Sequence, residues 1–369
     1  MRYVDEFRDR RRAGELLDRI RRISTRPVRI MEICGTHTHT IARYGIRAAL
    51  PATVRLVSGP GCPVCVTSAP DIARIIEFSR RCDVTVATFG DMMRVPGLDS
   101  SLQEEKARGG DIRVVYSPLG ALETAGKNPD REVVLYAVGF ETTAPTVAAT
   151  VLRAKAEGLK NFSVLSLHKL TPPAMRALLD SGELDLQGFI CPGHVTAVIG
   201  SDAYAFLADE YGTPCVVAGF EPVDAVYGIL RLVEQIEQGR SEIEVGYSRV
   251  VSPEGNLRAR AVMDEVFETC DAAWRGLGVI PASGLALRDA YADFDAQRRF
   301  GLPVNEDDRA RCDPPGCACA DVLKGLVTPR RCALFGKACT PETPVGPCMV
   351  SFEGTCAAYY KYGVAEDSP

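Results

Sequence analysis

Long apolar runs, basic clusters and histidine are all scarce in this chain of 369 residues, and the first two scarcities each close a class of function. No apolar stretch approaches the roughly 20 residues that span a bilayer, which argues against a membrane helix. No basic stripe is interleaved with aromatics and the net charge is −5, so nucleic acid is not an expected partner. The opening residues MRYVDEFRDRRRAGELLDRIRRI carry both signs of charge where a secretion signal needs an uninterrupted apolar core, and a cytoplasmic location is expected. The remaining composition, 46% apolar and 25% charged with a mean hydropathy near zero, is that of a soluble globular protein. Its length exceeds the roughly 250 to 300 residues at which single cores stop growing, so two or three domains are expected.

Cysteine is abundant instead. Fourteen cysteines in a reducing compartment point to metal binding or redox chemistry rather than to stable bridges. Cys34, Cys62 and Cys65 sit near the start in Gly-rich loops, while Cys312, Cys317, Cys319, Cys332, Cys339, Cys348 and Cys356 crowd the last sixty residues. Cys191 is scattered between these groups with Cys82, Cys215 and Cys270, and the latter three adjoin ordinary strand or helix patterns and read as small core residues.

Residues 3 to 23 space their apolar side chains by three and four, which predicts an amphipathic helix. Short apolar runs such as VRIMEIC, TVRLVSG, DVTVATFG and EVVLYAVGF then alternate with helical stretches, the pattern of βαβ units on parallel sheets. A weak internal repeat lays GPGCPV (59–64) over CPGHVT (191–196), VTVATFGD (84–91) over PCVVAGFE (214–221), and EICGTHT (32–38) over AVGFETT (137–143). The expected fold is α/β: an N-terminal helix (1–25), two related parallel-sheet domains (26–125 and 126–245) and a loop-rich, Cys-rich C-terminal region (246–369). Within the last, NLRARAVMDEVFETCDAAWRGLG predicts a helix, and the Cys, Pro and Gly-rich remainder buries so little apolar surface that a metal or disulfide staple is expected.

CGTHTHT (34–40) places one thiol and two imidazoles together after a strand, in a turn that Gly35 makes possible. Cys34 and His37, three apart, suit one metal ion or a thiol whose pKa the imidazole lowers; His39, two further on, is the weaker ligand. Cys62-Pro63-Val64-Cys65 precedes a helix opening near Ser68, whose positive end favours a thiolate. The pair is open to three readings: a zinc site, a passive turn, or a redox or ligand pair. The chain lacks the second C-x-x-C or H-x-x-H pair of a zinc knuckle. Cys317, Cys332, Cys339 and Cys356 are spaced C-x14-C-x6-C-x16-C, suiting a four-iron four-sulfur cluster with zinc as the alternative and Cys319 and Cys348 as spare ligands. His168, His194 and Glu141 follow predicted strands on the same cleft side, Glu141 as a proton carrier or a partner to a ligand.

Taken in order, CGTHTHTI, GPGCPVCVT, GFETTAPT, CPGHV and LFGKACTPETPVGPCMVSFEGTCAAYYKYG resemble the HypD family of hydrogenase maturation proteins over nearly the whole chain. The resemblance implies a scaffold, with two α/β domains and a cluster-bearing C-terminal region, on which the Fe(CN)2CO unit of nickel–iron hydrogenase is assembled. It implies a small HypC-type chaperone as partner and HypE, with HypF, as cyanide donor. It makes Cys34 the iron-binding thiolate with His37 close by, Cys62 and Cys65 the redox pair, and Cys317, Cys332, Cys339 and Cys356 the cluster ligands. Ala320 and Phe352 depart from the Gly and Ser usual in the family, beside rather than at these positions. The expected role is that of an assembly scaffold with redox activity rather than a turnover enzyme. Two rivals stand beside it: an iron–sulfur protein-disulfide reductase, which leaves CGTHTHT unexplained, and a zinc-structured adaptor, which accounts only for the C-terminal cysteines.

Overall fold

The computed structural model describes residues 5–302 and 314–364; Val4 of the expected first helix and Cys312 lie outside the described residues. Eleven strands are described: β1 (Val28–Glu32), β2 (Val54–Ser58), β3 (Val84–Thr88), β4 (Ile112–Val114), β5 (Glu132–Gly139), β6 (Phe162–His168), β7 (Gly188–Pro192), β8 (Cys215–Ala218), β9 (Ile243–Val245), β10 (Phe267–Trp274) and β11 (Gly278–Leu287). They form two parallel sheets, ordered β2-β1-β7-β8-β9 and β4-β3-β5-β6, and one antiparallel hairpin, β10-β11. The central strands β3 and β7 are buried at every residue, as strands covered by helices on both faces must be.

The α/β class and the Cys-rich C-terminal region are as expected, but the strands are shared out differently from the expected division. A boundary at 125 runs through the four-stranded sheet, between β4 and β5. The first sheet joins the chain's beginning to its later part, with Ile30, Met31 and Glu32 in register with Gly188, Phe189 and Ile190. The four strands of the second sheet are therefore an insertion between β2 and β7 of the first. The repeat put β1 with β3 in one domain and β5 with β8 in the other, but β1 shares its sheet with β8 and β3 pairs with β5, because likeness of local motif carries no information about lateral pairing.

A second difference lies at 256–278. The helix ends at Val266, and Phe267–Trp274 runs on as β10, paired with β11 from Phe267↔Leu287 to Trp274↔Gly278. Val266, Phe267 and Thr269 favour extended backbone, and β11 satisfies the amides that a longer helix would have bonded internally. Trp274 is anchored by its indole N–H, which donates to Ser283 Oγ at 2.9 Å.

Helix Arg10–Ile23 starts at Asp9, whose carboxylate accepts from the Arg11 and Arg12 amides, and packs Ile20 against helix Pro222–Glu237. The C-terminal segment folds back over the first sheet, laying helix Thr355–Tyr362 on helix Gly35–Arg43. One core unites it with the inserted sheet: Cys62, Cys65, Val86, Tyr136, Trp274, Cys319, Cys339, Cys348 and Cys356 belong to a single buried cluster.

Candidate functional site

Cys34 stands where β1 meets helix Gly35–Arg43 and is half-buried. Two glycines let chain segments close on it. A Cβ on Gly61 would fall 2.3 Å from the Cys34 nitrogen, so the loop carrying the C-x-x-C pair lies directly against the Cys34 backbone. A Cβ on Gly35 would fall 2.4 Å from Glu353 Cβ, which brings the C-terminal segment to the other side. Glu353 is held by Thr36 Oγ1, which donates to Oε1 at 3.2 Å. Burial and the neighbouring Glu353 carboxyl push the Cys34 thiol up to about 12, while the amides of His37 and Thr36 act in the opposite sense. A cation at the sulfur reverses the larger effects, since it pairs the thiolate and offsets Glu353.

Behind Cys34, the buried Glu32 accepts from Thr38 Oγ1 at 2.5 Å and from the Cys34 amide at 3.1 Å. Burial raises its pKa to about 7, against the pull of Ser58, Thr38 and Arg47. His37 is wholly buried and shares a 2.9 Å contact between Nε2 and the Gly219 carbonyl. The carbonyl can only accept, so the proton is on Nε2, and Nδ1 keeps a buried lone pair with no partner. Its pKa is pushed down to about 4 by burial, so the ring is neutral. His37 stacks on Phe220 at 4.7 Å and His194, which is exposed, stacks on the same ring at 3.8 Å. The structure thus joins His37 to His194 through Phe220, and joins His37 to Cys34 through the His37 amide. His39 faces away: its Nε2 contacts the Tyr362 hydroxyl at 2.7 Å and tethers the C-terminal helix.

Glu141 lies elsewhere in the fold. It is buried, its two oxygens accept from the Thr171 amide at 2.7 Å and the Thr171 hydroxyl at 3.0 Å, and it caps helix Thr171–Ser181. Burial raises its pKa to about 7.

Cys62 and Cys65 form a disulfide and are 3% and 0% exposed. Ser68 caps the following helix, Ala69–Phe78, by accepting from the Asp71 amide. The hairpin grips the loop from outside: Arg275 N–H donates to Val66 O at 2.9 Å, and Thr67 bridges to Trp274.

The six described C-terminal cysteines gather on the inner side of the same loop. Cys319 and Cys348 Sγ are 3.0 Å apart and hydrogen-bonded, and Cys319 also bonds Cys317 as Cys348 bonds Cys356. These bonds and the nearby Arg275 guanidinium favour the Cys319 thiolate, while Cys348 is pushed up. Cys332 Sγ accepts from the Ala318 amide and Cys339 Sγ from the Val345 amide, and a Cβ on Gly346 would fall 2.7 Å from Cys317 Sγ. The segments carrying Cys319 and Cys348 both pack on the turn Pro63–Val66. Among the described residues, no group of three or more His, Cys, Asp or Glu is arranged to hold a single metal ion. An iron–sulfur cluster asks for something else, one thiolate on each of several irons and amide donors to sulfur. The four cysteines expected as cluster ligands, Cys317, Cys332, Cys339 and Cys356, lie in this same group, with Cys317 bonded to Cys319 and Cys356 to Cys348.

Sequence reasoning passed over Glu353, Glu32 and Phe220 and left Cys319 and Cys348 as spares. Glu353 and Phe220 both stand inside motifs that were singled out, CMVSFEG and PCVVAGFE, and nothing local marks them. Of the three cysteines read as core, Cys215 is buried, Cys270 half-buried and Cys82 exposed; Cys82 follows a helix end at the surface rather than entering β3.

Fold and site define an α/β thiol protein in which cysteines from three distant segments converge on one loop. The family described as "HypD: Hydrogenase formation hypA family" matches residues 11–363. Relatives include the "Hydrogenase maturation factor HypD" of Azotobacter vinelandii, 49% identical over 98% of this chain and 97% of the relative. Those of Rhodobacter capsulatus (48%; 99% of each chain) and Escherichia coli strain K12 (44%; 98% of each chain) carry the same name. The chain belongs to the HypD family.

Proposed function

We propose that this protein serves hydrogenase maturation as the scaffold on which an iron carrying cyanide and carbon monoxide is assembled, with Cys34 holding that iron as cargo. The observation that carries the reading is the contact at Gly61, which sets the Cys62–Cys65 loop against the Cys34 backbone and leaves room there for no side chain. A soft thiolate suits an iron that takes strong-field ligands. The unpartnered lone pair of His37 Nδ1 is a second donor in the same β1–β8 region.

The dithiol form of Cys62 and Cys65, on closing to the disulfide, releases two electrons and two protons. Cys319 and Cys348 are a second pair able to make the same change, on segments that touch the first. A four-iron four-sulfur cluster on Cys317, Cys332, Cys339 and Cys356 would add one-electron chemistry. The hydrogen bonds from neighbouring thiols, with Arg275 nearby, lower the Cys319 pKa and so favour its nucleophilic form. Burial of both Cys62 and Cys65 argues against the rival disulfide reductase, because an external disulfide must reach an attacking sulfur. A HypC-type chaperone and HypE with HypF as cyanide donor complete the reading, and a cytoplasmic location is consistent with it.

The test is the infrared spectrum of protein isolated without oxygen. Cyanide and carbonyl stretching bands are expected in the native chain and absent from Cys34→Ala, with the circular dichroism of the two alike. Bands that persist in Cys34→Ala overturn the assignment.

A further inference from the structure

The first amides of helix Gly35–Arg43 each have an acceptor, and the acceptors surround Cys34. The Gly35 amide donates to the Gly61 carbonyl at 3.0 Å, on the loop that carries the C-x-x-C pair. The Thr36 and His37 amides act on the Cys34 sulfur itself. The Cys34 amide turns inward and donates to Glu32 Oε2 at 3.1 Å. Cys34 is the N-cap residue, with extended backbone at φ −160° and ψ 124°, and its sulfur faces the helix end only while that backbone is held.

Glu32 is itself held from several sides. It is wholly buried on β1, where it also receives Thr38 Oγ1 at 2.5 Å and the Ser58 hydroxyl. Arg47 Nη2 donates to Ser58 Oγ at 3.0 Å, which leaves the Ser58 proton for Glu32. Arg47 in turn donates through Nη1 to the Leu56 carbonyl and lies over the Tyr359 ring, 5.6 Å from its centre. An acceptor braced in this way has one orientation, and it passes that orientation to the amide it binds.

We propose that Glu32 is a positioning residue for Cys34: through the Cys34 amide it fixes the N-cap backbone, so that the sulfur stays at the helix end beside the C-x-x-C loop. Its purpose rests on Cys34 as the ligand of the cargo iron, whereas the hold itself belongs to the iron-free chain and is measured there.

The test is the rate at which iodoacetamide alkylates Cys34 in the iron-free full chain, read by peptide mass spectrometry against the exposed Cys82. Glu32→Ala should speed that alkylation about tenfold or more, the factor that loss of one charge-assisted hydrogen bond gives. Glu32→Gln keeps an oxygen for the Cys34 amide, and its own amide can donate to Thr38 Oγ1, whose hydroxyl then turns to the Cys34 carbonyl at 3.3 Å. Its rate should match the native one. Alkylation of Glu32→Gln as fast as that of Glu32→Ala assigns the effect to the lost charge and overturns the positioning role, as does a native rate in Glu32→Ala. Should Glu32→Ala fail to fold, Ser58→Ala decides: it removes a donor to Glu32 on the side away from Cys34 and should speed alkylation in the same direction, and a native rate refutes the proposal. In protein isolated without oxygen, Glu32→Ala should broaden or split a carbonyl band that is single in the native chain and in Glu32→Gln; a single native band in Glu32→Ala overturns the role. A native chain without such bands refutes the cargo reading alone, because the alkylation rates are measured without iron.

Discussion

Burial sets the proton affinities of single residues here, and the consequence is readable for Glu141. Its folded pKa of about 7 lies above the roughly 4.3 of an unfolded glutamate, so the native state binds the extra proton. The contribution is therefore fully present below about pH 4.3 and is lost as pH rises through 7. Glu141→Gln keeps an oxygen for the Thr171 amide and removes the titration. The variant should gain on the native chain by on the order of 2 kcal/mol between pH 5 and pH 8, measured by denaturant unfolding at both values. His37 and His168, held to about 4 and about 3, work in the opposite sense and lose their contribution as pH falls below about 6.5. A difference that does not change with pH would mean the Glu141 carboxyl titrates normally.

At the scale of elements, the site depends on close approaches that leave no space for a methyl group. Gly61→Ala sets a Cβ against backbone atoms of Cys34 rather than against a movable side chain, and should cost about 2 to 4 kcal/mol by thermal or denaturant unfolding. Gly35→Ala meets Glu353 instead, and should loosen the C-terminal segment while the sheets stay intact. Limited proteolysis is expected to cut it after residue 314 faster than in the native chain. Serine at Cys62 or Cys65 should leave any iron–sulfur absorption unchanged and stop hydrogenase maturation in cells. Loss of that absorption in Cys62→Ser would place a cluster ligand in this loop.

For the whole molecule, the inserted second sheet makes the two α/β units interdependent. A fragment of residues 26–125 holds β1 and β2 without β7, and β3 and β4 without β5; a fragment of residues 126–245 holds the complements. Each leaves strands with unpaired amides and carbonyls and an uncovered core, so neither should fold alone. Amide spectra with the narrow dispersion of unfolded chains are expected for both, and a well-dispersed spectrum for either would show that its half is self-sufficient. In the intact chain, the core that joins Tyr136 and Val86 to Cys348 and Cys356 predicts one cooperative transition for the inserted sheet and the C-terminal segment.

Sequence alone determined the α/β class, because apolar runs of strand length alternating with helical periodicity have few other solutions, and it picked out Cys34, His37 and the C-x-x-C loop, because thiols and imidazoles after glycine stand out from any background. The ordered motifs did the same for the family. Tertiary structure decided which strands share a sheet, since parallel partners are set by crossovers that local patterns do not encode. It also turned the stretch after Val266 into a hairpin, once β11 was there to receive its hydrogen bonds. And it alone brought Glu353 to Cys34, Phe220 between two histidines and Cys319 to Cys348, contacts between residues 26 to 319 positions apart, the first of them made possible where Gly35 lets separate segments close on one another.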